Sequence, residues 1–169
     1  MFFKTVYPSP VGLITLACDG ASLAGLWIEG QKYHGEMLPG EVADKDDTQV
    51  FTKVKSWLDR YFNGERLDIS GLPLAPAGSA FRKEVWAILC EIPYGKVTTY
   101  GDIARRVAAN RGRETFSSRA VGGAVGHNPI SIIIPCHRVV GSDGSLTGYA
   151  GGINVKARLL ELEGADISV

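Results

Sequence analysis

SGLPLAPAGSA, Ser70 to Ala80, is the stretch on which the reading of the fold turns. Its prolines, glycines and small side chains neither extend a helix nor sit well inside a sheet, so it reads as a linker between two lobes. The expected division is an N-terminal lobe at 1–75 and a C-terminal domain at 79–169, with the boundary near 70–78.

Outward toward the N-terminus the pattern is that of strands. Phe2 to Tyr7 is aromatic and β-branched until Pro8 and Pro10 break it, and Leu13 to Ala17 and Leu23 to Ile28 flank the hairpin signal Asp19–Gly20. These predict a small antiparallel sheet. His34 to Asp47, with Pro39–Gly40 and a DKDD cluster, reads as loop. Val50, Val54, Trp57, Leu58 and Tyr61–Phe62 then recur at helical spacing, with Asp47 or Thr48 as cap and Asn63–Gly64 as stop. Leu67 to Ile69 is a further short strand candidate.

Outward toward the C-terminus the pattern becomes helical. Ser79 is placed to cap a helix through Phe81, Val85, Trp86, Ile88 and Leu89, stopped by Ile92–Pro93 and Gly95. Thr98 or Thr99 precedes a helix with Ile103, Ala104 and Val107, and Ser117 or Ser118 one from Arg119 to Val125. Two short helices joined by a turn are the ingredients of a helix-turn-helix unit. The isoleucine run Ile130 to Ile134 reads as a strand ending at Pro135. A glycine-rich loop, Gly141 to Gly152, leads to a last amphipathic helix with Val155, Leu159, Leu160 and Leu162. The fold class is α/β in the α+β sense: a small sheet-bearing lobe followed by a mainly helical domain.

With 169 residues, 45 % hydrophobic, the chain can bury roughly two-thirds of its unfolded surface without a disulfide or metal staple. Cys18, Cys90 and Cys136 are an odd set with no CxxC pair, which argues against a disulfide scaffold and for a reducing compartment. Neither a signal peptide nor an 18-residue apolar run is present, so no membrane partner and a cytoplasmic location (nuclear in a eukaryote) are expected. Formal net charge is zero, but Gly95 to Arg158 holds nine basic residues against three acidic, enough for a positive patch if they share a face.

Chemistry concentrates in NPISIIIPCHRVVG, Asn128 to Gly141. A thiol of unperturbed pKa near 8.5 must ionise to attack, and an imidazole held by a carboxylate is the physical recipe for that. Adjacent strand residues face opposite ways, so Cys136 and His137 need a turn or a bridging water to cooperate. His137 and Arg138 directly after an apolar run are costly unless paired or exposed. On residues alone, Cys136 is a nucleophile of unnamed reaction or a buried small hydrophobe. A damage-binding module with an inert thiol and a thiol hydrolase remain as rivals.

IPCHRV, together with RAVGGAVGHNP upstream and TGYAGG downstream, resembles the methylated-DNA–protein-cysteine methyltransferase family, also called 6-O-alkylguanine-DNA alkyltransferases. The similarity runs from about Phe81 to Gly164. It implies a ribonuclease H-like first lobe and a winged helix-turn-helix second domain. The implied reaction is irreversible, one-for-one transfer of an alkyl group from the 6-oxygen of a flipped guanine in double-stranded DNA to Cys136. The 4-oxygen of thymine is left open as a second substrate. The implied state is a monomer.

The resemblance also implies roles. Cys136 accepts the alkyl group, His137 activates it through a water, Glu163 orients His137, and Asn128 is the hinge into the active-site segment. Arg119 fills the gap left by the extruded base from the minor groove. Tyr100 presses on the 3′ phosphate or protonates the leaving base, and Thr99 beside it belongs to the DNA-binding set. Ala120, Gly122, Gly123 and Ala124 keep the recognition helix small enough to lie against the groove. Val139, Tyr149, Ala150 and Gly151–Gly152 surround the base, with the Tyr149 carbonyl or hydroxyl reading its edge.

No cofactor is implied. Some relatives hold a zinc in the first lobe, but Cys18 and His34 are too few for a four-ligand site here. The connection AANRGRETFSSR, Ala108 to Arg119, is longer than the family's usual one and adds Arg111, Arg113 and Glu114, an insertion that either adds phosphate contacts or alters how the turn approaches the DNA backbone. Relatives that recognise damage without repairing it have tryptophan where this chain has Cys136.

Overall fold

The computed structural model describes residues 1–32, 38, 40–146 and 148–165. Strands β1 (Phe2–Ser9), β2 (Gly12–Cys18) and β3 (Leu23–Ile28) form the expected antiparallel set. The polar segment read as loop contributes a fourth strand, β4 (Val42–Asp44), which pairs parallel to β1. The sheet is therefore mixed, in the order β3-β2-β1-β4. Three residues with one β-branched side chain leave little local signal; pairing with a strand forty positions earlier makes them extended.

Helix α1 (Gln49–Phe62) starts where Thr48 accepts a bond from the Phe51 amide at 3.1 Å. Its buried stripe, Val50, Phe51, Val54, Leu58 and Tyr61, packs on β1 and β2. Burying such side chains stabilises by about 1.5–3 kcal/mol each, as an upper bound. Leu67 to Ile69 is not a strand: the Asp68 carbonyl accepts from the Trp57 indole at 3.0 Å, and the Asp68 carboxylate accepts from the Ser70 amide at 3.1 Å. Those bonds bend the backbone and use groups a ladder would need.

In the second lobe α2 (Ala80–Leu89), α3 (Tyr100–Asn110) and α4 (Ser118–Gly126) are capped by the side chains of Ser79, Thr99 and Ser117. The Trp86 indole donates to the Ala124 carbonyl at 2.8 Å and fixes α2 against α4. Short strands β5 (Thr98–Thr99) and β6 (Val139–Val140) pair in parallel, and α5 (Ile153–Leu162) closes the chain.

Ile130 to Ile134 is the larger correction. The expected strand is a tight turn: Ile130 makes a single bridge to Leu26, and Ile132 takes φ 70°, left-handed backbone that a β-branched residue rarely adopts. Leu26 donates to the Pro129 carbonyl at 2.8 Å, and Ser131 donates to that of Leu26 at 3.1 Å. The turn is thus clamped onto β3 of the first lobe, and one hydrophobic core runs through both lobes. No helix among the described residues is long and apolar enough to cross a membrane.

Candidate active site

Asn128 builds the site from below. Buried after α4, its amide nitrogen donates to the carbonyls of Ile134 (2.8 Å) and Ile130 (3.3 Å), and its oxygen accepts from the Ile130 amide (3.0 Å). One side chain therefore staples both ends of the turn and delivers Pro135 to a 3-10 turn, Cys136–Arg138. The 3-10 geometry meets the need for a turn at Cys136–His137, and β6 then aligns Val139 with Thr98 and Val140 with Thr99. That register sets Tyr100, the first residue of α3, beside the cysteine, close enough for their charges to couple.

Cys136 is buried but not sealed, with 6 % of its surface exposed. Burial pushes its thiol up, while hydrogen bonding from Asn128, the Lys156 cation and Ser131 pull it back. The sulfur rests protonated rather than as the ionised nucleophile the sequence reading requires, so its proton must leave on demand.

His137 is fully buried, and its Nε2 lies 2.6 Å from Glu163 Oε2. Its Nδ1 has no hydrogen-bond partner in the protein. Burial lowers the imidazole pKa, against the raising influence of Glu163. Burial alone would push the Glu163 carboxyl up. Hydrogen bonds and charge from His137 and Arg138 outweigh it and hold the group well below the usual carboxylate range. Arg138 donates from Nε to Glu163 Oε1 at 2.8 Å, from one terminal nitrogen to Oε2 at 3.1 Å, and from the other to the Ile92 carbonyl at 2.6 Å. Here the cost of two polar residues after an apolar run is offset: both share one buried carboxylate.

Two participants, Tyr61 and Lys156, carry no motif signal, and a third, Ser131, lies within the Asn128–Gly141 stretch as an ordinary polar residue. Tyr61, in α1 of the first lobe, donates to Glu163 Oε2 at 2.6 Å. Lys156 is fully buried on α5, bonds the Val139 carbonyl and has its pKa pushed down to about 8 by burial. Ser131 donates to Gln31 at 3.0 Å, and Gln31 accepts from the Ile28 amide at 3.0 Å, a second tie to the first lobe. A buried polar residue on an otherwise apolar helix face was the one available hint, and Lys156 alone offered it.

Tyr149 is buried near Cys136, its hydroxyl without a bonding partner. Gly151 makes room for that ring: a Cβ there would stand 2.7 Å from it. A Cβ on Gly148, at φ 71°, would stand 3.1 Å from the Tyr100 hydroxyl. Val139 is buried and Ala150 half-buried in the same neighbourhood. Two polar-tipped rings thus lie within electrostatic reach of the sulfur. Among the described residues no cluster of histidines, cysteines and carboxylates could hold a metal, and His34 lies outside them.

Residues 80–165 match the sequence model of the 6-O-methylguanine DNA methyltransferase DNA-binding domain, and residues 2–76 that of the ribonuclease-like domain of the same proteins. The chain belongs to this family. It is 46 % identical over 162 residues to the methylated-DNA–protein-cysteine methyltransferase of Haemophilus influenzae, covering 95 % of this chain and 86 % of that one. The Methanosarcina acetivorans protein of the same name is 42 % identical over 168 residues, covering 96 % and 99 %. Mycobacterium tuberculosis OGT, crystallised in complex with DNA, superposes with a TM-score of 0.81 at 40 % identity, covering 96 % of this chain and 92 % of that one.

Within the matched residues 80–165, the helix-turn-helix pair is α3, the connection 111–117 and α4. Arg119, Ala120 and Gly123 are exposed on α4, Gly122 lies against the Tyr100 ring, and Thr99 is occupied as the α3 cap. The basic excess is mostly spent. Arg138 and Lys156 are buried, while Arg105, Arg106 and Arg111 are paired with Asp102, Glu91 and Glu84. Lys96, Arg113, Arg119 and Arg158 are exposed and outside any ion pair among the described residues.

Arg111 holds the turn within the protein. Its guanidinium sits 5.5 Å from the Phe81 ring centroid and 5.1 Å from that of Phe116, and its Nε bonds Glu84 at 3.2 Å. The inserted turn is thereby tied back to α2. Arg113, two residues on, is left facing solvent.

Proposed function

We propose that this chain repairs O6-alkylguanine in DNA by transferring the alkyl group to Cys136, once per molecule. The supporting observation is the buried assembly of Cys136, His137 and Glu163 in a turn stapled by Asn128, in a chain of the methyltransferase family. Double-stranded DNA carrying the lesion binds along α4 and the α3–α4 turn, with Arg119 and Arg113 as the available cations.

An alkylated guanine must leave the stack to reach a buried sulfur, at a cost of about a few kcal/mol that is smaller for a damaged pair. Arg119, exposed at the start of α4, takes the vacated place. Between Tyr100 and Tyr149 the base meets two hydroxyls that can donate to it, and burial raises the pKa of both, so both hold their protons. The Cys136 proton passes through a water to Nδ1 of His137, the ring nitrogen that the protein does not engage. The Sγ–carbon bond forms as the carbon–oxygen bond breaks. The electron pair goes to the guanine oxygen, and a donated proton neutralises the base. Glu163 stabilises the imidazolium formed meanwhile, and the thioether product has no route back.

The test is a titration of the protein with a duplex bearing one labelled O6-methylguanine. The expected result is one methyl per protein, a mass increase mapped to Cys136, and no further turnover. Repeated turnover, or unmodified protein beside a damaged duplex that it binds, would overturn the proposal. Thymine methylated at its 4-oxygen in the same duplex tests the second substrate.

A further inference from the structure

The first lobe bonds the carboxylate behind His137 through one hydroxyl. Glu163 Oε2 receives three donors: His137 at 2.6 Å, Tyr61 at 2.6 Å and Arg138 at 3.1 Å. Oε1 receives Arg138 Nε at 2.8 Å and the Gly95 amide at 3.4 Å. A carboxylate offers about four lone-pair sites, so this one is filled. Filling it with a phenol from the other lobe, 102 residues away in sequence, is not needed for charge balance, since Arg138 already supplies the cation.

The tyrosine is held as a fixed part. Its ring stacks on Trp57 at 5.2 Å and 10°, and meets Phe62 edge-on at 5.3 Å and Tyr94 at 6.3 Å. With 1 % of its surface exposed, the hydroxyl has no water to turn to. We propose that Tyr61 is a positioning residue for methyl transfer: the first lobe uses its hydroxyl to fix Glu163 and to set how much of that carboxylate's charge His137 feels.

The inference rests on the function proposed above and assigns the sheet-bearing lobe a share in it. Tyr61 and His137 draw on the same oxygen. A donor that withdraws charge from Oε2 weakens its hold on the imidazolium; removing it strengthens that hold. The charged and titratable groups around the pair are Tyr61 on α1, Tyr94 before β5, Arg138 in the turn, Tyr149 in the glycine-rich loop and Lys156 on α5. Of the three tyrosines, Tyr61 is the one whose hydroxyl bonds Glu163 among the described residues.

The experiment measures single-turnover methyl transfer against pH for the whole protein, together with the 15N chemical shift of the His137 ring. Tyr61→Phe is expected to slow transfer by about tenfold, the scale of a lost bond to a charged group. It should move the acid limb of the profile and the His137 titration to higher pH, by about half a unit. Site-specific 3-fluorotyrosine at position 61, a stronger donor, should move both to lower pH. Trp57→Leu, which loosens the ring's seat but spares the hydroxyl, should lower Tm and leave the limb in place.

An acid limb and imidazole titration unmoved by 3-fluorotyrosine would overturn the proposal, even if Tyr61→Phe fails to fold. A rate loss in Tyr61→Phe that follows Tm alone would overturn it too. Failure of the unaltered protein to gain a methyl at Cys136 would instead overturn the function beneath it, while the His137 titration would still read the Tyr61 contact.

Discussion

From Ile130 to Val140 every residue is buried, whereas from Arg111 to Ala120 every residue but Phe116 is exposed. Both stretches follow a helix and both carry arginine, yet the arginines do unlike things. Arg138 is consumed in holding one carboxylate, and Arg113 and Arg119 are left for a partner. The difference separates two kinds of function. Bond-breaking needs groups fixed in low dielectric, where each interaction is strong and each loss severe. Reading a phosphate backbone needs mobile charge in water, where each contact is weak and salt-sensitive.

The contrast is broken most severely at Glu163. Glu163→Ala leaves Arg138 and His137 buried beside no anion, so unfolding in urea should show a loss of about 3–5 kcal/mol. The pH dependence has a definite sign. The folded carboxyl is held below its unfolded pKa of about 4.3. Its contribution is therefore present above that pH and is lost as pH falls further, and the alanine variant should lack this acid sensitivity.

Lys156 sharpens the same point from the basic side. Its folded pKa of about 8 lies below the unfolded value of about 10.4, so the unfolded chain holds the extra proton between them. Stability should rise by roughly 2–3 kcal/mol across that window, and Lys156→Met should flatten the rise in urea melts at pH 7 and pH 10.

On the exposed side the effects are smaller. Arg119→Ala should slow methyl transfer by about tenfold to a hundredfold through loss of the extruded state, with the Cys136 mass shift still reached at long times. Full-rate transfer in this variant would break the assignment. Arg113→Ala should weaken DNA binding evenly across sequences and reduce the salt slope by about 0.9, the share of one phosphate contact. Arg111→Ala should leave that slope nearly unchanged and cost about 1 kcal/mol of stability through its two rings and Glu84.

How much was legible in the sequence follows the same division. Helix starts at Thr48, Ser79, Thr99 and Ser117 are local events, one side chain reaching an amide three residues on, and the reading finds each among its candidates. The alkyl-acceptor motif is equally local. What escaped is non-local. β4 exists because β1 is beside it. Ile130 to Ile134 has the composition of a strand, but Asn128 and the clamp to Leu26 override propensity and hold Ile132 at φ 70°. No spacing connects Tyr61 to Glu163, and a run of arginines does not say which one is turned inward.

The bonds from Leu26 to Pro129 and from Ser131 back to Leu26 carry a practical consequence for anyone recombining relatives of this protein. A chimera cut within Ser70–Ala80 divides the chain at a segment itself bonded to β3, where Leu23 donates to the Pro73 carbonyl and Ala75 to that of Leu23, and it severs the fitted joint between the lobes as well. Such hybrids should keep their secondary structure and lose activity unless Leu26, Gln31 and the residues facing them are exchanged as a set. The turn that delivers the sulfur is, in effect, moulded against the neighbouring half.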